Sequence, residues 1–211
     1  MMDRELLPKG DGHAVVIFPG LASDGHAVAP LRAFCEELGY AAYDWGRGFN
    51  TGPEGDVEAW LDRLAQHTNQ LTDEHGDAIS LIGWSLGGIY AREVAKALGP
   101  RVRQVITIGS PFAGTVEQSN VGLVYRLLNG GRPQIDAALL ERLRTPPEVP
   151  TTSIYSRTDG IVAWQTCVQP GLHAHVDNVE VAGSHCGLGW NKAAFRVIAD
   201  RLARVSRDAV N

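Results

Sequence analysis

Cysteine is scarce, with three in 211 residues. An odd count leaves at least one thiol free or paired between chains. No Cys/His spacing matches a zinc site, and no metal or cofactor is expected. Long hydrophobic runs are also missing, so no stretch is long enough to span a membrane. Met1 to Gly12 is charged and polar and lacks the apolar centre of a signal peptide. The chain is therefore expected to be soluble and cytoplasmic. A basic surplus is lacking too: the formal net charge is −5. That argues against nucleic acid as a partner, because phosphate binding needs a basic face. Internal repeats and low-complexity linkers are not visible.

What is present is ordinary for one globular domain: 44% hydrophobic and 20% charged residues, with 24 glycines that imply many tight turns. The centre of the chain is Leu81-Ile82-Gly83-Trp84-Ser85-Leu86-Gly87-Gly88. The apolar run Ala78 to Ile82 feeds into Gly83-x-Ser85-x-Gly87, and a helical stretch, Ile89 to Leu98, follows. A sharp turn between a buried strand and a helix strains its central residue and exposes that side chain. Its neighbours must be small, because the two backbones nearly touch.

Other strands read as Ala14–Phe18, Ala41–Trp45, Val102–Ile108, Thr151–Tyr155 and Val176–Val181. Helical patterns lie between them. One places Val28, Leu31, Cys35 and Leu38 on one face, and a second begins after an Asp56 N-cap. The last runs from about Asn191 to Val205. Alternation of this kind predicts an α/β fold with about six mainly parallel strands flanked by helices. Ligands then bind at the carboxyl ends of the strands. The stretch from about 114 to 150 breaks the alternation. One amphipathic pattern there carries Val116, Leu123, Val124, Leu127 and Leu128, and a second carries Ile135, Leu139 and Leu143. It is read as a small helical cap over the strand edge, able to touch a lipid surface transiently. The competing reading is a crossover helix packed on the sheet. The whole, 1–211, reads as a single domain with that insert. Oligomeric state is not legible.

A serine needs a base, and the base needs a carboxylate to hold its tautomer. Asp159 follows the strand ending at Tyr155, and His185 follows the strand ending at Val181. Ser85, Asp159 and His185 would therefore project from one edge of one sheet, in the chain order that suits a nucleophile elbow. His13 would sit at the opposite edge. His26 reads as a helix-surface residue. The expected oxyanion donors are the backbone N–H groups of Leu86, after the nucleophile, and of Leu21, in the loop opened by Pro19-Gly20. Trp45, Trp84, Trp164 and Trp190 would either line an acyl pocket or pack for stability. Cys167 and Cys186 fall in the acid and base loops and would be near enough for a bridge, or remain two reduced thiols.

At these motifs the chain resembles the α/β-hydrolase superfamily, in particular its small bacterial lipases and esterases. Gly83 to Gly88 resembles the family's elbow. Gly109-Ser110-Pro111-Phe112-Ala113-Gly114 resembles a Gly-Thr-Pro-His-x-Gly stretch, with Phe112 in place of the histidine. Asp159-Gly160-Ile161-Val162 and Gly183-Ser184-His185 resemble its acid and base loops. The resemblance runs from Val15 to Leu202 and implies a six-stranded core without the first two strands of the full fold. It further implies hydrolysis of a small-molecule or lipid carboxylic ester through an acyl-enzyme. Pro19-Gly20 stands where many members have His-Gly. Thioesterase, amidase and acyltransferase chemistry would use the same three side chains. A non-catalytic binding protein on this fold is the remaining alternative.

Overall fold

A computed structural model of the protein describes residues 6–114 and 137–208. The first apolar run forms β1 (Ala14–Phe18), and all five residues are buried. Its side chains alternate between two cores. Ala14, Val16 and Phe18 point into one hydrophobic cluster, and Val15 and Ile17 into another. A strand buried on both faces in this way reads as a continuous apolar run.

The remaining elements follow in alternation: α1 (Ala29–Leu38), β2 (Ala41–Asp44), α2 (Val57–His75), β3 (Ile79–Trp84), α3 (Leu86–Leu98) and β4 (Val102–Ile108). Then come α4 (Ala137–Arg144), β5 (Thr151–Tyr155), β6 (Val176–Glu180), the single-turn α5 (His185–Leu188) and α6 (Lys192–Asp208). Among the described residues there is one sheet of six strands, ordered β2-β1-β3-β4-β5-β6. Every neighbouring pair is parallel. Helices α2, α3 and α4 supply Trp60, Leu64, Ile89, Tyr90, Leu140 and Leu143 to one core. Helices α1 and α6 supply Leu31, Phe34, Phe195 and Ile198 to the other. Phe34 and Phe195 stack at 4.7 Å between ring centres and so join α1 to α6. Asp56 caps α2 by accepting the Ala59 N–H at 3.0 Å.

The sequence boundaries move by a few residues. The elbow strand runs on to Trp84 rather than Ile82, and the helix begins at Leu86 rather than Ile89. Strand β2 stops at Asp44 and β6 at Glu180, and α6 reaches Asp208. Of the 114–150 insert, α4 is described; Leu140 and Leu143 are buried against the α3 core. The first cap pattern, Val116 to Leu128, and Ile135 lie outside the described residues. All three cysteines are free thiols, so Cys167 and Cys186 are not bridged. Burial pushes the Cys35 and Cys167 thiols up to about 12. Among the described residues, no helix is long and apolar enough to cross a membrane.

At the N-terminal rim of the sheet lies a hydrogen-bonded Ser, His and Asp. His13 Nδ1 donates to Asp11 Oδ1 at 2.5 Å, and Nε2 stands 2.8 Å from Ser80 Oγ. Ser80 is completely buried, so no substrate reaches it. Tyr40 packs edge-on against the ring, and Arg103 bonds both Asp11 and Asp77. Desolvation lowers the His13 pKa from 6.5, more than Asp11 raises it. The folded protein therefore keeps His13 neutral where the unfolded chain takes up a proton. Stability from this group is full above pH 6.5 and is lost as pH falls through the lowered value. Denaturant midpoints measured from about pH 7.5 down to about pH 5 are expected to fall. His13→Gln should give a lower but flatter acid limb.

Candidate active site

The turn between β3 and α3 holds Ser85 at φ 54°, ψ −122°, a left-handed backbone that a non-glycine residue rarely adopts. The hydroxyl is thereby lifted out of the sheet, and Ser85 is only partly buried. The glycines around it are required by contact. A Cβ on Gly83 would lie closer than 3.0 Å to the backbone of Gly87 and Gly88. One on Gly87 would lie closer than 3.0 Å to the carbonyls of Phe18 and Pro19. The elbow helix therefore touches both its own strand and the end of β1.

His185 Nε2 stands 3.0 Å from Ser85 Oγ, and His185 Nδ1 stands 2.7 Å from Asp159 Oδ2. The structure thus brings together the three side chains expected from the sequence. His185 and Asp159 are buried, at 6% and 4% exposure. Their loops are tied to each other by backbone. The His185 N–H donates to the Asp159 carbonyl at 2.8 Å. Ser156 Oγ donates to Gly183 O at 2.6 Å and accepts from Gly183 N at 3.1 Å. The other oxygen of Asp159 accepts the N–H groups of Ile161 (3.0 Å) and Val162 (2.6 Å). That leaves Oδ2 for the imidazole. His185 opens α5 instead of lying in open loop, behind a Ser184 N-cap.

Gly109 at φ +57° ends β4 directly behind this pair. A Cβ there would sit 3.3 Å from His185 Nδ1 and 3.4 Å from Asp159 Oδ2. Trp84 donates its indole N–H to the His185 carbonyl at 3.3 Å, so it braces the base. Trp45 is a core residue stacked on Tyr90, Trp164 stacks on Tyr155, and Trp190 is half exposed. Phe112 is fully buried beneath the Arg92 guanidinium, 3.8 Å from the ring centre. Arg92 in turn bonds the last carbonyls of α4 and the side chain of Gln169. An aromatic at position 112 therefore serves a buried cation. His26 is exposed and paired with Asp24, His75 meets Tyr43, and His175 bonds Pro147 O. None of them approaches Ser85 through any hydrogen bond among the described residues.

Leu86 is the first residue of α3, where a helix N–H has no intrahelical acceptor and the helix dipole is positive. The loop after β1 runs against the elbow: a Cβ on Gly20 would lie 3.3 Å from Ser85 Cβ. Leu21 is partly buried against the α2/α3 core. Among the described residues, no group of three or more His, Cys, Asp and Glu side chains could hold a metal ion. The sequence did not single out Ser156, the Asp159 N–H donors or the brace from Trp84. The contacts of Ser156 and Trp84 join segments distant in the chain and leave no local pattern, whereas the Asp159 donors lie two and three residues on, within the Asp159-Gly160 turn.

A sequence model of the alpha/beta hydrolase family matches residues 15–207. The chain belongs to this family. Among curated relatives of this chain, a pimeloyl-(acyl-carrier protein) methyl ester esterase of Shewanella woodyi is 32% identical over 123 residues, 57% of this chain and 45% of the relative. A lysosomal thioesterase PPT2 homolog of Drosophila melanogaster is 30% identical over 116 residues, 53% of this chain and 40% of the relative. The matches thus span less than half the length of either relative. The solved monoacylglycerol lipase of Paleococcus ferrophilus superposes with a TM-score of 0.64 at 14% identity, covering 94% of this chain and 97% of that one. That last similarity is one of fold.

Proposed function

We propose that this hydrolase cleaves carboxylic esters through an acyl-enzyme on Ser85. The observation that carries the reading is the unbroken line Ser85 Oγ, His185, Asp159, with links of 3.0 and 2.7 Å. Ser85 Oγ attacks the acyl carbon while His185 Nε2 takes the hydroxyl proton. Negative charge moves to the carbonyl oxygen, where the N–H groups of Leu86 and Leu21 receive it. Collapse expels the alcohol, which leaves with the proton from Nε2. Water then repeats the sequence on the acyl-serine and releases the acid. Asp159 holds Nδ1–H and stabilises the imidazolium, and no step requires a metal.

Thioester cleavage is the second reading. One curated relative bears a thioesterase name and the other an ester esterase name. Both names share an acyl group on a leaving heteroatom, which is the chemistry the three side chains serve.

The test is covalent. A fluorophosphonate probe is expected to label the protein once, on Ser85, as mapped by peptide mass spectrometry. Matched nitrophenyl esters and acyl thioesters of several chain lengths should then rank the two readings by kcat/KM. A protein that takes no label and turns over none of them is not a serine hydrolase.

A further inference from the structure

Asn50 lies in the loop between β2 and α2 and is fully buried. It takes no part in the line of side chains at Ser85, yet every polar group it owns is bonded. Its Nδ2 donates to the Pro19 carbonyl at 2.9 Å. Its backbone carbonyl accepts the Ala22 N–H at 2.8 Å, and its N–H donates to Ser23 O at 2.7 Å. Its Oδ1 accepts from Gly52 N at 3.1 Å and from Tyr90 Oη, on the elbow helix, at 3.4 Å. Asn50 therefore clamps the loop after β1 along its length and ties it to α3. Within that loop, Ser23 Oγ donates back to the Gly20 carbonyl at 2.7 Å. Ala22, between them, is held at φ 55°, a conformation that costs energy in an alanine.

The consequence follows from peptide planarity. In a trans peptide the C=O and the next N–H point in opposite directions. Fixing the Gly20 carbonyl with the Ser23 hydroxyl therefore fixes the direction of the Leu21 N–H. Fixing the Pro19 carbonyl with Asn50 holds the preceding peptide beside Ser85, where Gly20 makes its close approach. A bare loop would have to reorganise to meet a developing negative charge. A pinned one is already aimed, and that preorganisation is what makes such donors effective.

We propose that Ser23 and Asn50 are positioning residues for the oxyanion, aiming the Leu21 N–H at the acyl oxygen through the carbonyls of Gly20 and Pro19. This rests on the ester-hydrolase reading above. Neither side chain touches the reacting atoms, so the effect must appear in the transition state and not in substrate binding.

The experiment compares wild type with Ser23→Ala, Ser23→Thr and Asn50→Asp on a nitrophenyl ester, together with inhibition by a trifluoromethyl ketone, whose hemiketal carries an oxyanion. Complete loss of one oxyanion donor costs about 10²–10³ in kcat. A misaimed donor should cost about tenfold to hundredfold. Ser23→Ala is expected to lose that factor in kcat with KM nearly unchanged, and to weaken the ketone by the same factor. Ser23→Thr keeps the hydroxyl and should recover most of it. Asn50→Asp places a carboxylate against the Pro19 carbonyl and should behave like Ser23→Ala; near-UV circular dichroism checks that it is folded. If Ser23→Ala keeps wild-type kcat, or loses only KM, or is not recovered by threonine, the inference is wrong. An active wild type with unaltered variants overturns this inference alone. A wild type that takes no fluorophosphonate label and cleaves no ester overturns the reading beneath it as well.

Discussion

Ser85→Ala is expected to lower kcat on a nitrophenyl ester by on the order of 10⁶ while the protein stays folded. The size follows from what the hydroxyl does: with it goes the covalent route itself. The stability expectation follows from what it does not do. Alanine meets the same left-handed backbone as serine at φ 54°, so the strain of the turn is unchanged. His185 keeps its bonds to Asp159, through both ring and backbone, and its carbonyl keeps the indole of Trp84. The only bond lost is a partly exposed one. Steady-state assays beside a thermal melt check both halves. Activity within a hundredfold of wild type would remove Ser85 from the chemistry.

Asp159→Asn is expected to cost about 10⁴ in kcat, although it changes one atom. The reason is local to this loop. Oδ1 of Asp159 is held by two backbone donors, the N–H groups of Ile161 and Val162. An asparagine must leave its carbonyl oxygen there, since an amide NH₂ cannot face two N–H groups. Its NH₂ is then turned toward His185 Nδ1, the position that Oδ2 holds at 2.7 Å. The imidazole must accept at Nδ1 and carry its proton on Nε2. That nitrogen faces Ser85, where a lone pair is needed. The variant should fold normally and label with fluorophosphonate more slowly by a similar factor. A loss below tenfold would mean that Asp159 is not the group that sets the tautomer.

The architecture was legible because its physics is local. A strand buried on both faces is apolar at each of five positions, and Ala14–Phe18 shows this in the bare sequence. The chain order Ser85, Asp159, His185 was legible for a similar reason: each follows a strand, and parallel strands end at one rim. The shift in the elbow helix start has a tertiary cause. Gly87 and Gly88 resemble a turn by propensity, but they are helical because Phe18, Pro19, Ser110 and β3 leave no room for larger side chains. Trp45 looked equally suited to a pocket or to the core, and only packing against Trp60 and Tyr90 decides it. Phe112, a departure from the family pattern, makes sense once Arg92 is seen above it. The clamp from Asn50 had no sequence signature, since its partners, apart from the Tyr90 hydroxyl, are backbone carbonyls and N–H groups that every residue has.

Among the described residues, strand β6 ends the sheet and pairs with β5 alone. A free edge of this kind is a ready template for a neighbouring molecule's strand. Its five residues read Val-Asp-Asn-Val-Glu, and three of them are exposed. A second copy adding itself along that border would bring Asp177 and Glu180 up against their own counterparts, in a protein already carrying a formal charge of −5. Like charges set opposite one another on adjacent strands disfavour the pairing. The outermost strand thus disfavours pairing with its own copy, by a margin that the ion pairs of Asp177 with Arg201 and of Glu180 with Arg157 reduce.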